Sequence, residues 1–133
     1  MSAPDVAVVI PTLRRPDELT RALRSIFAQQ GAEGRLREII VADNDPEASA
    51  RKTVEALTSE SPVPLIWTHA PRPGVATARN TGLAATQAPL IAFLDDDVLL
   101  PRTWLRSYVQ DLDEMPGAVV VGPQGVNPGS LPT

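Results

Sequence analysis

Short apolar runs rich in β-branched residues alternate with segments of helical character along most of the chain. Pro16 and Pro101 each open a stretch whose apolar residues recur every three or four positions, as in amphipathic helices. The apolar runs occupy residues 6–10, 39–42, 64–69, 89–94 and 118–122. Strands that alternate with helices in this way pair side by side in one sheet. The pattern predicts an α/β fold, with a mostly parallel sheet and helices on both faces.

The composition favours one domain and excludes several classes of function. The chain has 133 residues, 43% of them apolar, which suits a single domain with a substantial core. It has no cysteine, so disulfides, thiolate catalysis and a cysteine-rich zinc site are excluded. A net charge of −4 argues against a nucleic-acid partner. We see neither a secretory leader nor an apolar run of membrane-spanning length, and therefore expect a cytoplasmic protein.

Polar residues follow three of the predicted strands at the point where each strand ends. Pro11 and Thr12 follow the first strand, Asp43 and Asn44 follow the second, and three aspartates at 95–97 follow the fourth. In parallel sheets, ligands bind beyond the carboxyl ends of the strands. We therefore expect these three groups to converge at one edge of the sheet.

The acid triplet of Asp95, Asp96 and Asp97 brings like charges together. Two unit charges about 4 Å apart repel by roughly 4 kcal/mol at an effective dielectric of 20. A divalent cation would relieve this repulsion, and carboxylate oxygens suit Mg²⁺ or Mn²⁺, with substrate phosphates completing the shell. The alternative is a solvated surface loop in which one acid caps the helix near Pro101. The triplet alone leaves both interpretations open.

Four blocks of sequence together resemble the nucleotide-binding half of family 2 glycosyltransferases with the GT-A fold. In chain order they read VVIPTLRRPDELTRALRSIFAQ, EIIVADND, PGVATARNTGLAAT and PLIAFLDDDVLLPRTWL, each in the expected strand and helix context. The resemblance implies a Rossmann-like nucleotide-sugar-binding domain over residues 1–122, followed by a Pro/Gly-rich tail at 123–133.

The resemblance also implies roles for residues of the first three blocks. Pro11 and Thr12 would contact the nucleoside, and Asp43 would bind the base. Arg79 would approach the base or the diphosphate, with Asn80 supporting its loop. Without the resemblance, a strand end, an ordinary turn and a surface arginine would explain the same residues.

For the fourth block, the resemblance assigns the acids separate tasks. Asp95 would hold the ribose, Asp97 would bind Mn²⁺ or Mg²⁺ at the diphosphate, and Asp96 would orient its neighbours or touch the sugar. The donor implied is a UDP-, GDP- or dTDP-sugar, and the acceptor implied is a glycan or a lipid-linked acceptor. The complete enzyme would transfer the sugar to an acceptor hydroxyl with inversion.

No residue of this sequence is assigned as catalytic. Family members carry a general-base carboxylate in a later acceptor-binding half, whereas Asp111, Asp113 and Glu114 lie on the helix directly after the triplet. The leading hypothesis is therefore the donor-binding part of a transferase. A non-catalytic nucleotide-binding module, an inactive truncated fragment and a plain structural domain remain as alternatives.

Other residues are interpreted as packing or solvated surface. Trp104 and Tyr108 fit the core face of the last helix, and His69 has no second metal ligand nearby in sequence. The basic group around Arg14 and Arg15 favours a solvated face, although it leaves open attraction to diphosphate or peripheral membrane association. An uncovered sheet edge would favour a homodimer or a poorly soluble monomer.

Overall fold

The computed structural model describes residues 4–114, which form a sheet of four parallel strands. The strands are β1 (Val6–Thr12), β2 (Leu36–Asp43), β3 (Leu65–His69) and β4 (Leu90–Phe93). Their order across the sheet is β3–β2–β1–β4. The predicted α/β fold is confirmed for these strands. The predicted fifth strand at 118–122 and the tail at 123–133 lie outside the described residues.

Four α-helices connect or follow the strands. They are α1 (Pro16–Phe27), α2 (Ala50–Leu57), α3 (Val75–Ala84) and α4 (Trp104–Glu114). The side chains that α1, α2 and α4 bury form one cluster with the β1 side chains of one face, whereas α3 packs on the opposite face. Right-handed crossovers require this division, because the chain reverses its direction across the sheet between β3 and β4. None of the described helices combines the length and the apolar character needed to cross a bilayer.

The larger core lies between the sheet and helices α1, α2 and α4. Leu19, Leu23 and Ile26 of α1 are buried at three- and four-residue spacing, as the sequence periodicity predicts. Trp104 and Tyr108 are also buried, with their rings stacked 5.3 Å apart, which confirms their packing role. The Tyr108 hydroxyl donates a 3.0 Å hydrogen bond to the Ile91 carbonyl, and burial raises the pKa of Tyr108 to about 12.

The opposite face is thinner because α3 lies unusually close to the sheet. A Cβ atom on Gly82 would lie 2.4 Å from Cγ1 of Val9 and 3.7 Å from Cβ of Ala42. The small residues of α3 thus allow its backbone to approach β1 and β2. This approach brings the first turns of α3 to the carboxyl ends of the strands, where the polar residues converge.

Candidate functional site

A cleft of about 450 Å³ opens at the carboxyl ends of β1 and β4. The strand order reverses there, because β2 and β3 lie on one side of β1 and β4 lies on the other. Such a reversal separates the neighbouring loops and is the usual ligand site of open α/β sheets. The residues that line the cleft are Pro11, Thr12, Leu13, Arg15, Asn44, Gly74, Val75, Ala78, Arg79, Asp95, Asp96 and Asp97.

Thr12 and Asp96 join the two strand ends that form the floor of the cleft. The buried Thr12 hydroxyl donates a 2.9 Å hydrogen bond to Oδ2 of Asp96. Burial raises the pKa of Asp96, while the Thr12 hydrogen bond and the charge of Arg15 oppose that rise. Asp96 is therefore half-buried and fixed by its hydrogen bond from Thr12, whereas Asp95 and Asp97 are exposed and line the cleft.

Arg15 supplies a positive charge beside the triplet. Its Nη1 atom lies 3.4 Å from Oδ2 of Asp97 and 3.7 Å from Oδ1 of Asp96. The sequence interpretation of Arg15 as part of a solvated face is incomplete, because its guanidinium lines the cleft and pairs with two of the acids.

Asn44 connects the end of β2 to the loop that leads into α3. Its Nδ2 atom donates to the carbonyls of Ala70 and Arg72, each at 2.7 Å, and its Oδ1 accepts from the Gly74 amide at 3.3 Å. Gly74 has φ of +120° and stands immediately before α3. These contacts hold the start of α3 at the cleft.

Arg79 enters the cleft from α3. Its guanidinium carbon lies 5.6 Å from the centre of the Phe93 ring, within the range of a cation–π contact. Its Nε atom is buried and has no hydrogen-bond partner among the described residues. A buried N–H without an acceptor costs about 1–3 kcal/mol, so this atom marks a place where an anionic ligand would be stabilising.

Asp43, predicted to bind the base, lies apart from the cleft and is fully buried. Its Oδ1 accepts from the Asp45 amide at 3.1 Å. Its Oδ2 accepts from the Ala50 amide at 2.9 Å and from Nε1 of Trp67 at 3.0 Å. The carboxylate therefore anchors the start of α2 and the end of β3, and Asn44 is the residue of this turn that reaches the cleft.

Asn80 also lies apart from the cleft, although it neighbours Arg79 in sequence. Successive helical residues point about 100° apart, so Asn80 is carried to another side of α3. There it borders a separate shallow groove with Ala70, Pro71, Arg72, Thr77 and Thr81. The other predicted site residues line the cleft together: Pro11, Thr12, Arg79, Asp95, Asp96 and Asp97.

Six of the twelve cleft residues were not predicted as site residues: Leu13, Arg15, Asn44, Gly74, Val75 and Ala78. Leu13 and Val75 expose 48% and 56% of their surface, and thus place apolar groups at the cleft. Neither residue belongs to a periodic pattern, so the sequence carried no signal for them. Arg15 and Asn44 did carry a signal, because each directly adjoins a polar group at a strand end.

The carboxylate oxygens of the cleft suit a hard divalent cation whose coordination shell is completed by a bound ligand. Asp97 is 55% exposed, lines the cleft and contacts only Arg15 in the hydrogen bonds and ion pairs of the described residues. Within residues 4–114, no three acidic or histidine side chains gather as a ready metal site. One or two carboxylates plus phosphate oxygens is the usual arrangement for Mg²⁺. The residues present therefore fit a cation bound together with a phosphorylated ligand.

Comparison with known proteins identifies the family. Residues 7–132 match the glycosyl transferase family 2. The chain belongs to this family. It is similar to the succinoglycan biosynthesis protein ExoM of Rhizobium meliloti, with 37% identity over 118 residues, 89% of this chain and 38% of that protein. It also resembles a pre-mycofactocin glycosyltransferase of Mycobacterium tuberculosis, with 32% identity over 92% of this chain and 24% of that protein. The chain thus spans about a quarter to two fifths of these glycosyl transferase family 2 relatives.

Solved glycosyltransferase structures share the fold. The mannosyltransferase PcManGT from Pyrobaculum calidifontis, in complex with GDP-Man and Mn²⁺, superposes with a TM-score of 0.74 and 25% identity. That match covers 84% of this chain and 33% of PcManGT. S. aureus TarS 1–349, in complex with UDP, superposes with a TM-score of 0.66 and 20% identity over 83% of this chain and 32% of TarS. The sheet and its helices therefore have the GT-A architecture of this glycosyltransferase family.

Proposed function

We propose that this chain is the donor-binding part of a family 2 glycosyltransferase and takes a nucleoside diphosphate sugar into the cleft between β1 and β4. The observation that carries the proposal is Arg79, whose buried Nε lacks an acceptor beside a cleft that also holds the acid triplet. A diphosphate would supply that acceptor, since charge-assisted hydrogen bonds to phosphate are among the strongest in proteins.

The walls of the cleft suggest how such a donor is oriented. Leu13 and Val75 offer apolar surface to a nucleobase, and the exposed Asp95 offers carboxylate oxygens to the ribose hydroxyls. Pro11 and Thr12 form the floor against the nucleoside, while Asp96 stays held by Thr12 and orients its neighbours. In this proposal Asp43 and Asn80 support the loops around the cleft without touching the ligand.

Asp97 is the residue proposed to hold the cation, Mn²⁺ or Mg²⁺. When bound, such a cation neutralises charge on the departing diphosphate. The structure of PcManGT with GDP-Man and Mn²⁺ supports this assignment by similarity. The TarS complexes with UDP and with UDP-GlcNAc support a nucleotide-sugar donor.

Transfer requires a group that this part of the chain does not supply. We propose direct displacement: the acceptor oxygen bonds to the anomeric carbon with inversion, the bond from that carbon to the diphosphate breaks, and a general base takes the hydroxyl proton. On α4, Asp113 pairs with Arg35 at 3.1 Å, and neither Asp111 nor Glu114 lines the cleft. The base would therefore come from outside residues 4–114.

The acceptor is proposed to be a glycan or a lipid-linked glycan, because the similar ExoM protein serves succinoglycan biosynthesis. A non-catalytic nucleotide-binding module is the second candidate, favoured by the lack of a cleft carboxylate suited to act as general base in residues 4–114. Cytoplasmic location, peripheral membrane association and homodimer formation stay predictions.

Calorimetric titration with UDP, GDP and dTDP, with and without Mn²⁺, tests the proposal. We expect at least one nucleotide to bind, with an affinity that rises in Mn²⁺. Asp97→Ala should remove the Mn²⁺ dependence, whereas Asp111→Ala, an exposed carboxylate on α4, should not. A folded protein that binds no nucleotide under either condition would exclude both candidate functions. Sugar transfer by the full-length enzyme would separate the first candidate from the second.

A further inference from the structure

Arg15 stands where an incoming cation would be attracted. One nitrogen, Nη1, lies within 4 Å of oxygens on both Asp96 and Asp97. The remaining oxygen of Asp96 is already taken by the Thr12 hydroxyl. Arg15 therefore offsets the negative charge of these two neighbouring carboxylates.

The pair with Asp97 can open at small cost. Half of each side chain is exposed, 51% for Arg15 and 55% for Asp97, and exposed ion pairs contribute little stability. The pair is also inessential for the helix that follows. The backbone carbonyl of Arg15 accepts the Leu19 amide at 2.9 Å, and Pro16 occupies the first turn, so the start of α1 does not depend on the Arg15 side chain.

A divalent cation on Asp97 would stand beside the guanidinium of Arg15, whose Nη1 lies 3.4 Å from Oδ2 of that carboxylate. The two positive charges would repel each other, so the bound cation would weaken the contact between Arg15 and Asp97. Arg15 also lines the cleft in which the diphosphate is proposed to lie, and its planar donors suit phosphate oxygens.

We propose that Arg15 exchanges partners during donor binding: it holds the carboxylates of Asp96 and Asp97 before the cation binds, yields Asp97 to the cation, and then binds the diphosphate. This inference rests on the proposed function. It makes Arg15 a ligand-binding residue that lowers the affinity for cation alone and raises the affinity for nucleotide once the cation is present. The cleft would thereby favour the cation and nucleotide together over either alone.

The test measures the two affinities separately in the full chain. Mn²⁺ alone is titrated by the electron paramagnetic resonance signal of free Mn²⁺, and UDP and GDP are titrated by calorimetry at saturating Mn²⁺. Arg15→Gln should tighten Mn²⁺ binding about two- to fivefold, as expected for loss of an exposed competing ion pair. The same variant should weaken nucleotide binding about tenfold, as expected for loss of a charge-assisted hydrogen bond.

Two further variants serve as controls. Arg21→Gln removes an equal charge from an exposed position on α1 away from the cleft, and should move neither affinity appreciably. Arg15→Lys keeps the charge, so its Mn²⁺ affinity should stay near that of the unmodified chain. Circular dichroism melting checks that every variant is folded.

The possible results have distinct meanings. Opposite shifts in the two affinities support the exchange. A weakening of both affinities would indicate a merely structural role for Arg15 and would overturn the inference, as would an unchanged Mn²⁺ affinity in Arg15→Gln. If the folded, unmodified chain binds nucleotide but never Mn²⁺, both this inference and the proposed metal site are overturned. If the unmodified chain and Arg15→Gln bind Mn²⁺ equally well, only this inference is overturned.

Discussion

The Thr12 hydroxyl donates a 2.9 Å hydrogen bond to the Asp96 carboxylate and so connects the ends of β1 and β4 across 84 positions of sequence. Thr12 is 3% exposed, and the bond lies at the floor of the cleft. It stabilises an ionised carboxylate that burial would otherwise disfavour, since it opposes the rise in the pKa of Asp96. This single contact therefore supports both the sheet and the geometry of the triplet.

Thr12→Val should lower the free energy of unfolding by about 1–3 kcal/mol, because it removes the hydroxyl that donates to Oδ2 of the half-buried Asp96 carboxylate. Urea unfolding followed by circular dichroism measures the change. Thr20→Val is the matched control, since within residues 4–114 the Thr20 hydroxyl bonds only inside its own helix, to the Pro16 carbonyl at 2.7 Å. Equal losses in the two variants would show that the Asp96 contact contributes nothing particular.

Asp43→Asn separates a structural role of this residue from base binding. Asn presents an amide NH₂ where Asp43 has a second acceptor oxygen, so a buried donor from Ala50, Asp45 or Trp67 loses its partner. We expect the free energy of unfolding to fall by about 2–4 kcal/mol, with nucleotide affinity unchanged in the folded protein. Asp111→Asn serves as the exposed control. A stable Asp43→Asn protein that has lost nucleotide binding would favour direct contact with the base.

Arg79→Met should reduce nucleotide affinity without reducing stability. The substitution removes a buried Nε that lacks an acceptor, whose cost in the empty protein is about 1–3 kcal/mol, and retains a long apolar stem. We therefore expect an unchanged or higher urea midpoint together with weaker UDP or GDP binding. Arg72→Met removes an exposed arginine outside the cleft and should leave nucleotide affinity unchanged. A strongly destabilised Arg79→Met protein would assign Arg79 to the fold.

Gly82→Ala should destabilise the protein by about 1–3 kcal/mol, because the new methyl group would lie 2.4 Å from Cγ1 of the fully buried Val9. Gly34→Ala adds the same methyl group where no atom lies within 4 Å, and it is the natural control. Thermal and urea unfolding of the two variants give the comparison. If both variants unfold alike, the close approach of α3 to β1 is not the constraint that we infer.

Asp45→Asn should change how stability depends on pH in acid. Hydrogen bonds from the Ser49 hydroxyl and the Glu47 amide, with the charge of Arg14, hold the pKa of Asp45 at about 2, below the ordinary 3.8. Between these values the unfolded chain binds more protons, so the contribution of Asp45 is complete above about pH 4 and is lost as the pH falls towards 2.

We therefore expect the difference in urea midpoint between the unmodified chain and Asp45→Asn to be largest near neutral pH and to shrink between pH 4 and pH 2. Asp111→Asn should show only a small difference, because this exposed side chain takes part in no hydrogen bond or ion pair of the described residues. A difference for Asp45→Asn that stayed constant down to pH 2 would contradict the role given to its carboxylate.

Local sequence patterns were enough to predict the strands, the helices and half of the residues that line the cleft. Apolar runs, helix-starting prolines and periodic spacing are local signals, so they predicted the four described strands, the helices and the buried Trp104. The same local signals placed Thr12 and the acid triplet at strand ends, which parallel pairing then had to bring to one edge of the sheet.

Which of these strand ends meet depends on the order of the strands in the folded sheet. Because β4 pairs with β1 on the side away from β2, the triplet lies against Thr12, whereas Asp43 is covered by the start of α2 and by Trp67. Strand order and the depth of each side chain depend on contacts between residues far apart in the chain. Local sequence patterns do not contain this information. For that reason the sequence predicted a solvated Arg15, whereas in the structure its guanidinium contacts Asp96 and Asp97.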